Sequence, residues 1–487
     1  MQKKLFASLL VALALICACA VAASAVGTLA DDGVYEISTA EEMHELATLI
    51  AGKGEGYGDA RAAQYRLTRD IDMSAITGML PIGGNSSNAF TGSFDGQGHT
   101  ISGIHLEPAA DATGDYYGLF GRVANATISN LTIEGTVTSG GMYVGGLVGL
   151  VASGATIENC VNRCDVTCTK TNNVYGTGYG VGGIVGHAGG GTGGTLKGTL
   201  IITDCVNEGD ILSGKSVGGI VGRSDITEGT VTITGCKNTG NVTADLSDGS
   251  GYADVGGIIG FDMSVDDATN HVISNCVNTG AVAFARRAGH DFSKFTKGIG
   301  FKGVGGIIGR TIKTGITVSA CYNAGTVTSD GEASGTEELG AYMQAIAGRG
   351  GAVPVTENNY YKPGCGVNFT KFHAAAVDLA LVSTSAAIYK DGSATVRYIA
   401  KLTTDDSTAV ERYGMLLAQT AAQANVKAAA ISDAFEGGET TYAVDLTEIP
   451  ETERATRIYA WAYVNLAGGV QITLPVDAVT VSGIIGG

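Results

Sequence analysis

The sequence has little charge, little proline and few aromatic residues. Of its 487 residues, 16% are charged, 7% are aromatic, 6 are proline and 1 is tryptophan. Glycine is abundant, at 75 residues, but no Gly-x-y triplet runs through the chain, which excludes collagen. The frequent Val, Ile and Leu exclude a disordered chain. This composition favours an all-β protein, in which short strands of β-branched residues are joined by tight turns.

Positive charge is also scarce, since Asp and Glu outnumber Lys and Arg and the net charge is −17. Such a surface repels nucleic acid and anionic membranes, so neither is expected as a partner. It is compatible with solubility outside the cell, with a cationic partner or with diffuse Ca²⁺ binding, although no Ca²⁺ motif is present. No cofactor and no metal site is predicted.

The first 25 residues have the pattern of a signal peptide. Lys3-Lys4 precedes an apolar run, and Ala23-Ser24-Ala25 supplies the small residues that a signal peptidase reads. The pattern predicts export, with no transmembrane segment in the mature chain. Ile16-Cys17-Ala18-Cys19 loosely resembles a lipoprotein signal, which leaves a lipid anchor at Cys19 open. The expected location is therefore secreted or attached to the cell surface.

A Gly-x-x-Gly unit recurs through the middle of the chain at nearly constant spacing. Its copies lie at 118–121, 146–149, 183–186, 219–222, 257–260 and 306–309, with a degenerate copy at 345–348. Successive copies are 28 to 49 residues apart. A period in this range indicates a solenoid rather than one globular core.

A second motif, Cys-x-Asn, lies between successive glycine units. In four of its five copies a Gly follows two residues after the Asn, and in the first copy Cys164 takes that place. The copies supply Cys160 and Asn162, Cys205 and Asn207, Cys236 and Asn238, Cys276 and Asn278, and Cys321 and Asn323. The surrounding β-branched residues predict short strands, and helical periodicity is missing.

Stacking of the repeats explains why the same residue types recur. If each repeat forms one coil, equivalent residues lie one strand spacing apart, ~4.8 Å. The five asparagines then form an amide ladder, and the five cysteines fill the interior as small apolar residues. The paired glycines would permit a tight bend or a positive φ at a coil corner. A ladder of five thiols cannot pair completely, so free thiols are expected, with Cys164 and Cys168 as the best candidates for an additional bridge.

The two interlocked motifs resemble the GLUG-motif repeats of bacterial surface and secreted proteins. The resemblance implies a right-handed parallel β-helix over 96–365, with a helical cap and first strands at 34–95. A capping box at Thr39 and Glu42 predicts the start of the cap helix. After the signal peptide at 1–25, the remaining segment, 375–487, alternates in short apolar runs and predicts a C-terminal β-sandwich.

No assembled catalytic site is predicted. Parallel β-helices that act on polysaccharides use clustered carboxylates, or basic residues with Ca²⁺. The candidates of these types are Asp70 with Asp72, Asp95 with His99, and the pair Arg286 and Arg287. The two acidic segments belong to the lead-in that such repeat proteins share, which favours a scaffold role for them. The sequence identifies no binding residues.

Three functions remain open. The first is a non-enzymatic, adhesin-like binding protein whose loops at 187–199, 261–271 and 283–303 contact an extracellular glycan or protein. The second is a polysaccharide-acting enzyme that uses clustered carboxylates. The third is a structural envelope lipoprotein held at Cys19. The oligomeric state is not predicted.

Overall fold

The computed structural model describes residues 26–84, 87–107, 116–169, 179–189, 196–246, 252–263, 271–286, 300–311, 315–329, 343–348, 355–366, 374–418, 427–431, 435, 438–475 and 479–485. Each complete coil passes through four strand positions, which we call A, B, C and D in chain order, and in the later coils position B is divided into two short strands. Except for the first strand of the chain, which pairs antiparallel, strands of the same letter pair in parallel in successive coils and so form sheets A to D. This arrangement confirms the predicted parallel β-helix.

The strands of sheets A and B lie on either side of one coil corner. Sheet A contains β1 (Thr28–Leu29), β2 (Tyr35–Ile37), β3 (Gln64–Leu67), β5 (Ser93–Asp95), β9 (Ala126–Ser129), β13 (Ala155–Glu158), β17 (Leu196–Thr203), β22 (Ile226–Thr234), β27 (His271–Ser274), β32 (Ile316–Ser319) and β36 (Val355–Glu357). The solenoid strands of sheet B are β4 (Ile71–Asp72), β6 (Thr100–Leu106), β10 (Thr132–Ser139), β14 (Val161–Cys168), β18 (Val206–Asn207), β19 (Ile211–Ser213), β23 (Lys237–Asn238), β24 (Val242–Leu246), β28 (Val277–Asn278), β29 (Val282–Arg286), β33 (Tyr322–Asn323), β34 (Val327–Ser329) and β37 (Asn359–Tyr361).

Sheets C and D complete each coil. Sheet C contains β7 (Tyr116–Tyr117), β11 (Tyr143–Gly145), β15 (Gly180–Gly182), β20 (Ser216–Gly218), β25 (Tyr252–Gly256), β30 (Gly300–Gly305) and β35 (Met343–Gln344). Sheet D contains β8 (Phe120–Val123), β12 (Val148–Val151), β16 (Val185–Ala188), β21 (Val221–Ser224), β26 (Ile259–Asp262) and β31 (Ile308–Thr311).

The core consists of ladders of identical or similar apolar residues. Ile128, Ile157, Ile202, Ile233 and Ile273 occupy one register position of sheet A and are fully buried. Burial of each such side chain contributes about 2–3 kcal/mol. The residues on either side of each isoleucine point outward, because side chains alternate along a strand. The β-branched alternation in the sequence therefore determines which face is buried.

The corner between sheets A and B is made by one residue per coil in the left-handed conformation. Asn130, Asn159, Asp204 and Asn275 hold this place with φ of 51° to 53°, and Gly235 holds it with φ of 66°. Asn, Asp and Gly tolerate this region better than other residues do. The residue before each Cys-x-Asn motif therefore sets the turn, and in the last copy Ala320 takes this conformation, with φ of 52°.

Helix α1 (Ala40–Gly52) closes the N-terminal end of the solenoid. It begins with the predicted capping box, in which Thr39 Oγ1 accepts from Glu42 N at 3.2 Å and the Glu42 carboxylate accepts from Thr39 N at 3.1 Å. Its apolar side, including Met43 and Leu46, packs into the solenoid core. A short helix α2 (Tyr57–Ala60) follows. The helix covers apolar surface that an open solenoid end would expose.

The C-terminal segment forms the predicted β-sandwich from two antiparallel sheets. One contains β38 (Ala374–Ile388), β39 (Ala394–Thr404) and β42 (Gly438–Ile449). The other contains β40 (Val410–Ala418), β41 (Lys427–Ala430), β43 (Tyr459–Leu466) and β44 (Val470–Pro475), and helix α3 (Val481–Ile485) follows. The two sheets share one apolar core.

The sandwich is continuous with the solenoid. Strand β38 pairs in parallel with β37, so sheet B runs directly into the first sandwich sheet. Tyr322 and Tyr360 of the last solenoid coils lie in the sandwich core, and Tyr360 Oη donates to Ala467 O at 3.1 Å. The boundary predicted at residue 375 falls inside β38. The sandwich therefore packs against the outer face of sheet B in the last coils, where Val277, Tyr322 and Tyr360 share one register row.

Candidate functional site

The five motif asparagines form a continuous row of hydrogen bonds in sheet B. From Asn162 to Asn323, each Nδ2 donates to the Oδ1 of the next asparagine at 2.7 Å. Each Nδ2 also donates to a carbonyl oxygen two residues further along its own coil, at 2.8 to 3.0 Å. All five side chains are fully buried. The row is an internal tie between coils and offers no group to a ligand.

The ladder asparagines lie against the first glycine of five of the six Gly-x-x-Gly units. A Cβ on Gly183 would lie 2.1 Å from Asn207 Oδ1, and one on Gly219 would lie 2.4 Å from Asn238 Cγ. The same conflict exists in the other coils, at Gly146, Gly257 and Gly306. None of these glycines has a positive φ, so of the two predicted alternatives, a tight bend or a positive φ, the second is wrong. Glycine is required because two groups occupy the space of a Cβ, the amide side chain and a carbonyl oxygen of the next coil, which would lie 2.1 to 2.4 Å from it.

The five motif cysteines form a second buried row beside the asparagines. Each Sγ lies 3.2 to 3.4 Å from the carbonyl oxygen two residues earlier in its coil. Burial raises the pKa of the Cys236 and Cys276 thiols well above the ordinary value. The thiolate, which is the nucleophilic and metal-binding form, is therefore disfavoured.

All eight cysteines in the described part of the chain are free and buried. Cys164 and Cys168 lie four residues apart on the single strand β14. That separation places their Cα atoms about 13 Å apart, whereas a disulfide needs less than about 7 Å. The expectation of a bridge between them is wrong for this reason.

The carboxylates of the lead-in are held by backbone groups. Asp70 Oδ1 accepts from Thr100 N at 2.9 Å, and Asp72 Oδ1 accepts from Ser74 N at 2.9 Å. These backbone bonds lower the pKa of both carboxyl groups. A general acid at neutral pH needs a raised pKa, so the environment of this pair does not supply one.

The other catalytic candidates are not brought together. His99 Nδ1 lies 3.1 Å from Asp70 Oδ1, while Asp95 Oδ1 accepts from Asn130 Nδ2 at 3.0 Å. Arg286 ends β29, and Arg287 lies outside the described residues, as does Cys19. The described residues contain no group of three or more His, Cys, Asp or Glu side chains placed to hold a metal ion.

Insertions occur at two of the four corners of the solenoid. The A–B and C–D corners have two residues between their strands throughout β9 to β33. The B–C corner carries 169–179, 287–299 and 330–342, and the D–A corner carries 189–195 and 263–270. The segments 187–199 and 261–271 therefore share the D–A corner, whereas 283–303 lies at the B–C corner. Residues 190–195, 264–270 and 287–299 lie outside the described residues.

An open groove of about 520 Å³ follows the D–A corner of the early coils. Its polar lining is uncharged and consists of Asn125, Thr127, Ser153, Thr156 and Thr199. Thr127 and Thr156 are register neighbours on β9 and β13, so their hydroxyl groups lie about one strand spacing apart, ~4.8 Å. The sequence analysis did not find this groove, because its residues come from three coils and carry no motif.

A cluster of charged side chains lies around Phe261 on the outer side of sheet D. The guanidinium carbons of Arg223 and Arg310 are 4.5 and 4.1 Å from the Phe261 ring centre, on the two neighbouring coils. Arg223 Nε is 2.7 Å from Asp225 Oδ1, and Arg310 Nε is 2.8 Å from Asp254 Oδ1. Each Arg thus has a carboxylate partner, and the cluster is best understood as a stabilising cation–π stack.

Two buried histidines lie near this region. His187 packs 4.6 Å from the Tyr143 ring, and burial lowers its pKa to about 4, so it is neutral at pH 7. His271 Nδ1 lies 2.8 Å from Asp262 Oδ1, with both side chains fully buried. Neither histidine lies in a motif. His271 shares the interior register row of Val231 and Ile316, whereas His187 shares the outer row of Leu150 and Arg223.

The repeats match a known motif, and two relatives share part of the chain. The family described as "The GLUG motif" matches residues 140–167. Halomucin of Haloquadratum walsbyi is 32% identical over 136 residues, which are 26% of this chain and 1% of halomucin. A candidate Gly-rich membrane protein of Evansella cellulosilytica is 33% identical over 124 residues, 24% of this chain and 13% of its own length. The chain thus carries GLUG-motif repeats, as predicted, and spans a small part of either relative.

A solved structure also resembles this chain at low identity. A candidate immunoglobulin A1 protease from Bacteroides ovatus is 18% identical, and the match covers 68% of this chain and 86% of that protein, with a TM-score of 0.42.

None of the helices in the described residues has the length and apolar character that crossing a membrane requires.

Proposed function

We propose that the protein is an exported, non-enzymatic binding protein, secreted or displayed at the cell surface, and that it holds an extracellular glycan in the D–A groove. The observation that carries this proposal is the open, uncharged, hydroxyl-rich lining of the groove. The relatives support a surface location, since their names describe a mucin-like and a membrane protein. A protein ligand on the insertions of the B–C corner is the other form of this adhesin-like role.

The groove chemistry suits a neutral sugar better than a charged ligand. Threonine offers one hydroxyl donor, two acceptor lone pairs and a methyl group, which match the hydroxyls and the apolar face of a sugar ring. A cationic ligand would seek carboxylates, and the groove lining contains none. Thr127 and Thr199 are exposed and Thr156 is half-buried, so all three are open to a ligand.

Glycan-array binding of the chain from residue 26 to residue 487 tests the proposal. If the array gives a ligand, the double substitution Thr127→Val and Thr156→Val removes two hydroxyls without changing side-chain shape. At about 1 kcal/mol for each hydrogen bond, binding should weaken about tenfold to thirtyfold. Thr317→Val is the matched control, because Thr317 holds the same register position in a later coil.

Two results contradict this site. Equal weakening by Thr317→Val would show that the effect is not local to the groove. Unchanged affinity of the double variant would place the ligand elsewhere, with the B–C insertions as the next region to substitute. A blank array together with a blank host-matrix screen removes the binding role itself.

The mode of attachment is tested separately, by mass spectrometry of the mature N-terminus. Release by signal peptidase predicts a chain that begins at Val26. A lipid-modified Cys19 at the N-terminus would instead support the envelope lipoprotein.

A further inference from the structure

Strand β38 has one free edge over most of its length. On one side it pairs with β39 from Val377 to Ile388. On the other side it pairs with β37 only over Ala374 to Ala376. Beyond Ala376, none of the strands in the described residues occupies that edge. The backbone groups there form a template for another strand.

The free edge lacks charge and proline, which usually protect an edge strand. The segment from Leu379 to Tyr389 contains no charged residue and no proline. Val382 and Tyr389 are each 55% exposed, and Ile388 is 46% exposed. The bulge at Val382 is the one irregularity of the strand.

The opposite edge of the same sheet is protected in the usual way. Strand β42 carries Glu439, Asp445 and Glu448, all on exposed positions. Two copies of β42 would therefore bring several carboxylates together, and repulsion would oppose pairing. The two edges of this sheet therefore differ in charge, which is the property that controls self-association.

We propose that the free edge of β38 pairs antiparallel with β38 of a second copy of this chain, giving a two-fold symmetric dimer. In a chain with a net charge of −17, self-association needs a contact that does not bring like charges together. The uncharged β38 edge provides such a contact. An antiparallel pair of identical strands is also self-complementary, as a two-fold interface must be.

Charge complementarity specifies the register. Thr384 is the middle residue of the uncharged segment from Leu379 to Tyr389, so a two-fold axis at Thr384 pairs this segment with its copy. The bulge at Val382 shifts the pairing by one residue, so Leu379 faces Ile388 of the second copy. Asp378 then lies at the end of the contact that carries Lys390 of the second copy, and the symmetry produces this juxtaposition twice. Asp378 lies 3.8 Å from Lys362 Nζ in its own chain and keeps 36% of its side-chain surface exposed, so it is accessible to the second copy.

Cysteine cross-linking tests the contact and its register. In Thr384→Cys the two new thiols would face each other across the axis, with Cα atoms about 4.5–5.5 Å apart, within disulfide range. In Ala387→Cys, the matched control on the same exposed edge, the two thiols would be about 20 Å apart. The native cysteines give little background, because all eight in the described residues are buried.

The expected result is a cross-linked dimer for Thr384→Cys and little or none for Ala387→Cys under mild oxidation. Sedimentation velocity should show a concentration-dependent dimer of the unmodified chain. Thr384→Lys should raise the dimer dissociation constant at least about tenfold, because it places two like charges on the axis. Thr447→Lys on the exposed part of β42 should leave it unchanged, with circular dichroism confirming that both variants fold.

The proposal is overturned if the unmodified chain stays monomeric at its highest soluble concentration. Equal cross-linking of the two cysteine variants would overturn the register, and a dimer that persists in Thr384→Lys would overturn the contact. These outcomes are independent of glycan binding, since the D–A groove lies in the early coils.

Discussion

The asparagine ladder makes the sharpest prediction about stability. Replacing Asn238, the middle member, by Ala should destabilise the solenoid far more than an exposed Asn→Ala change does. The side chain is fully buried and lies between two other amides. Its loss affects three coils at once, because each amide bonds to the coil on either side.

The magnitude follows from the bonds that alanine removes. Asn238 Oδ1 accepts from Asn207 Nδ2 at 2.7 Å, and Asn238 Nδ2 donates to Asn278 Oδ1 at 2.7 Å and to Gly240 O at 2.8 Å. Three neutral bonds are worth about 1 kcal/mol each. The cost of leaving buried partners without these donors and acceptors adds about 1–2 kcal/mol. The free energy of unfolding should therefore fall by about 4–5 kcal/mol.

Urea unfolding followed by circular dichroism measures the total effect, and hydrogen exchange with mass spectrometry shows where it acts. Solenoids unfold in part as a chain of neighbouring units, so exchange should rise most in the coils of Asn207, Asn238 and Asn278. Asn241→Ala is the control in the same coil. Asn241 is exposed and bonds to Asp210 Oδ1 at 3.0 Å, so its loss should cost less than about 1 kcal/mol.

A loss below about 1 kcal/mol for Asn238→Ala would refute the reasoning. So would a hydrogen-exchange change spread evenly over all coils. Either result would mean that the apolar ladders hold the coils together without the amides.

Three other predictions follow from buried groups. Burial lowers the pKa of His187 from 6.5 to about 4, so the folded chain binds fewer protons than the unfolded one between these values and stability falls as pH drops. Acidification from about pH 7 to about pH 4.5 should lower the free energy of unfolding by about 2–3 kcal/mol through this group. The variant His187→Leu, which copies the residue of the preceding coil, should reduce the fall of the urea midpoint over this pH range. Gly219→Ala should cost more than about 3 kcal/mol, since its Cβ would lie 2.4 Å from Asn238 Cγ, whereas Gly58→Ala meets no atom within 4 Å and should shift the urea midpoint little. Maleimide should label the ladder cysteines such as Cys236 after denaturation but not in the folded chain, and labelling of several thiols in the native state would contradict the buried row.

The sequence predicts the interior of the solenoid well, because in-register stacking turns a linear repeat into a ladder. A residue type that recurs at one motif position must meet itself in the next coil. The asparagine spacing therefore predicts contacts such as that of Asn162 with Asn207 although 45 residues separate them. The capping box at Thr39 is readable for a different reason, since it depends only on neighbouring residues.

The sequence does not predict contacts between different motif positions. The glycine motif and the asparagine motif are both visible in the sequence, but the packing of Gly183 against Asn207 depends on how a coil folds across its interior. Glycine at a repeat position is compatible with a positive φ or with close packing, and a linear pattern does not distinguish them. The D–A groove is missed for the same reason, because Thr127 and Thr199 approach only after three coils stack.

The ladders also explain where this solenoid can vary. The A–B corner leads into the Cys-x-Asn motif, and the C–D corner contains the glycine that packs against the ladder amide. One added residue at either corner would flip the following strand and move its apolar face outward. Insertions at the B–C and D–A corners leave both ladders in register. The connections at these corners are several residues long in some coils and one or two residues long in others. Ligand contacts that differ between coils are therefore expected at these two corners, and the open groove of the early coils lies at one of them.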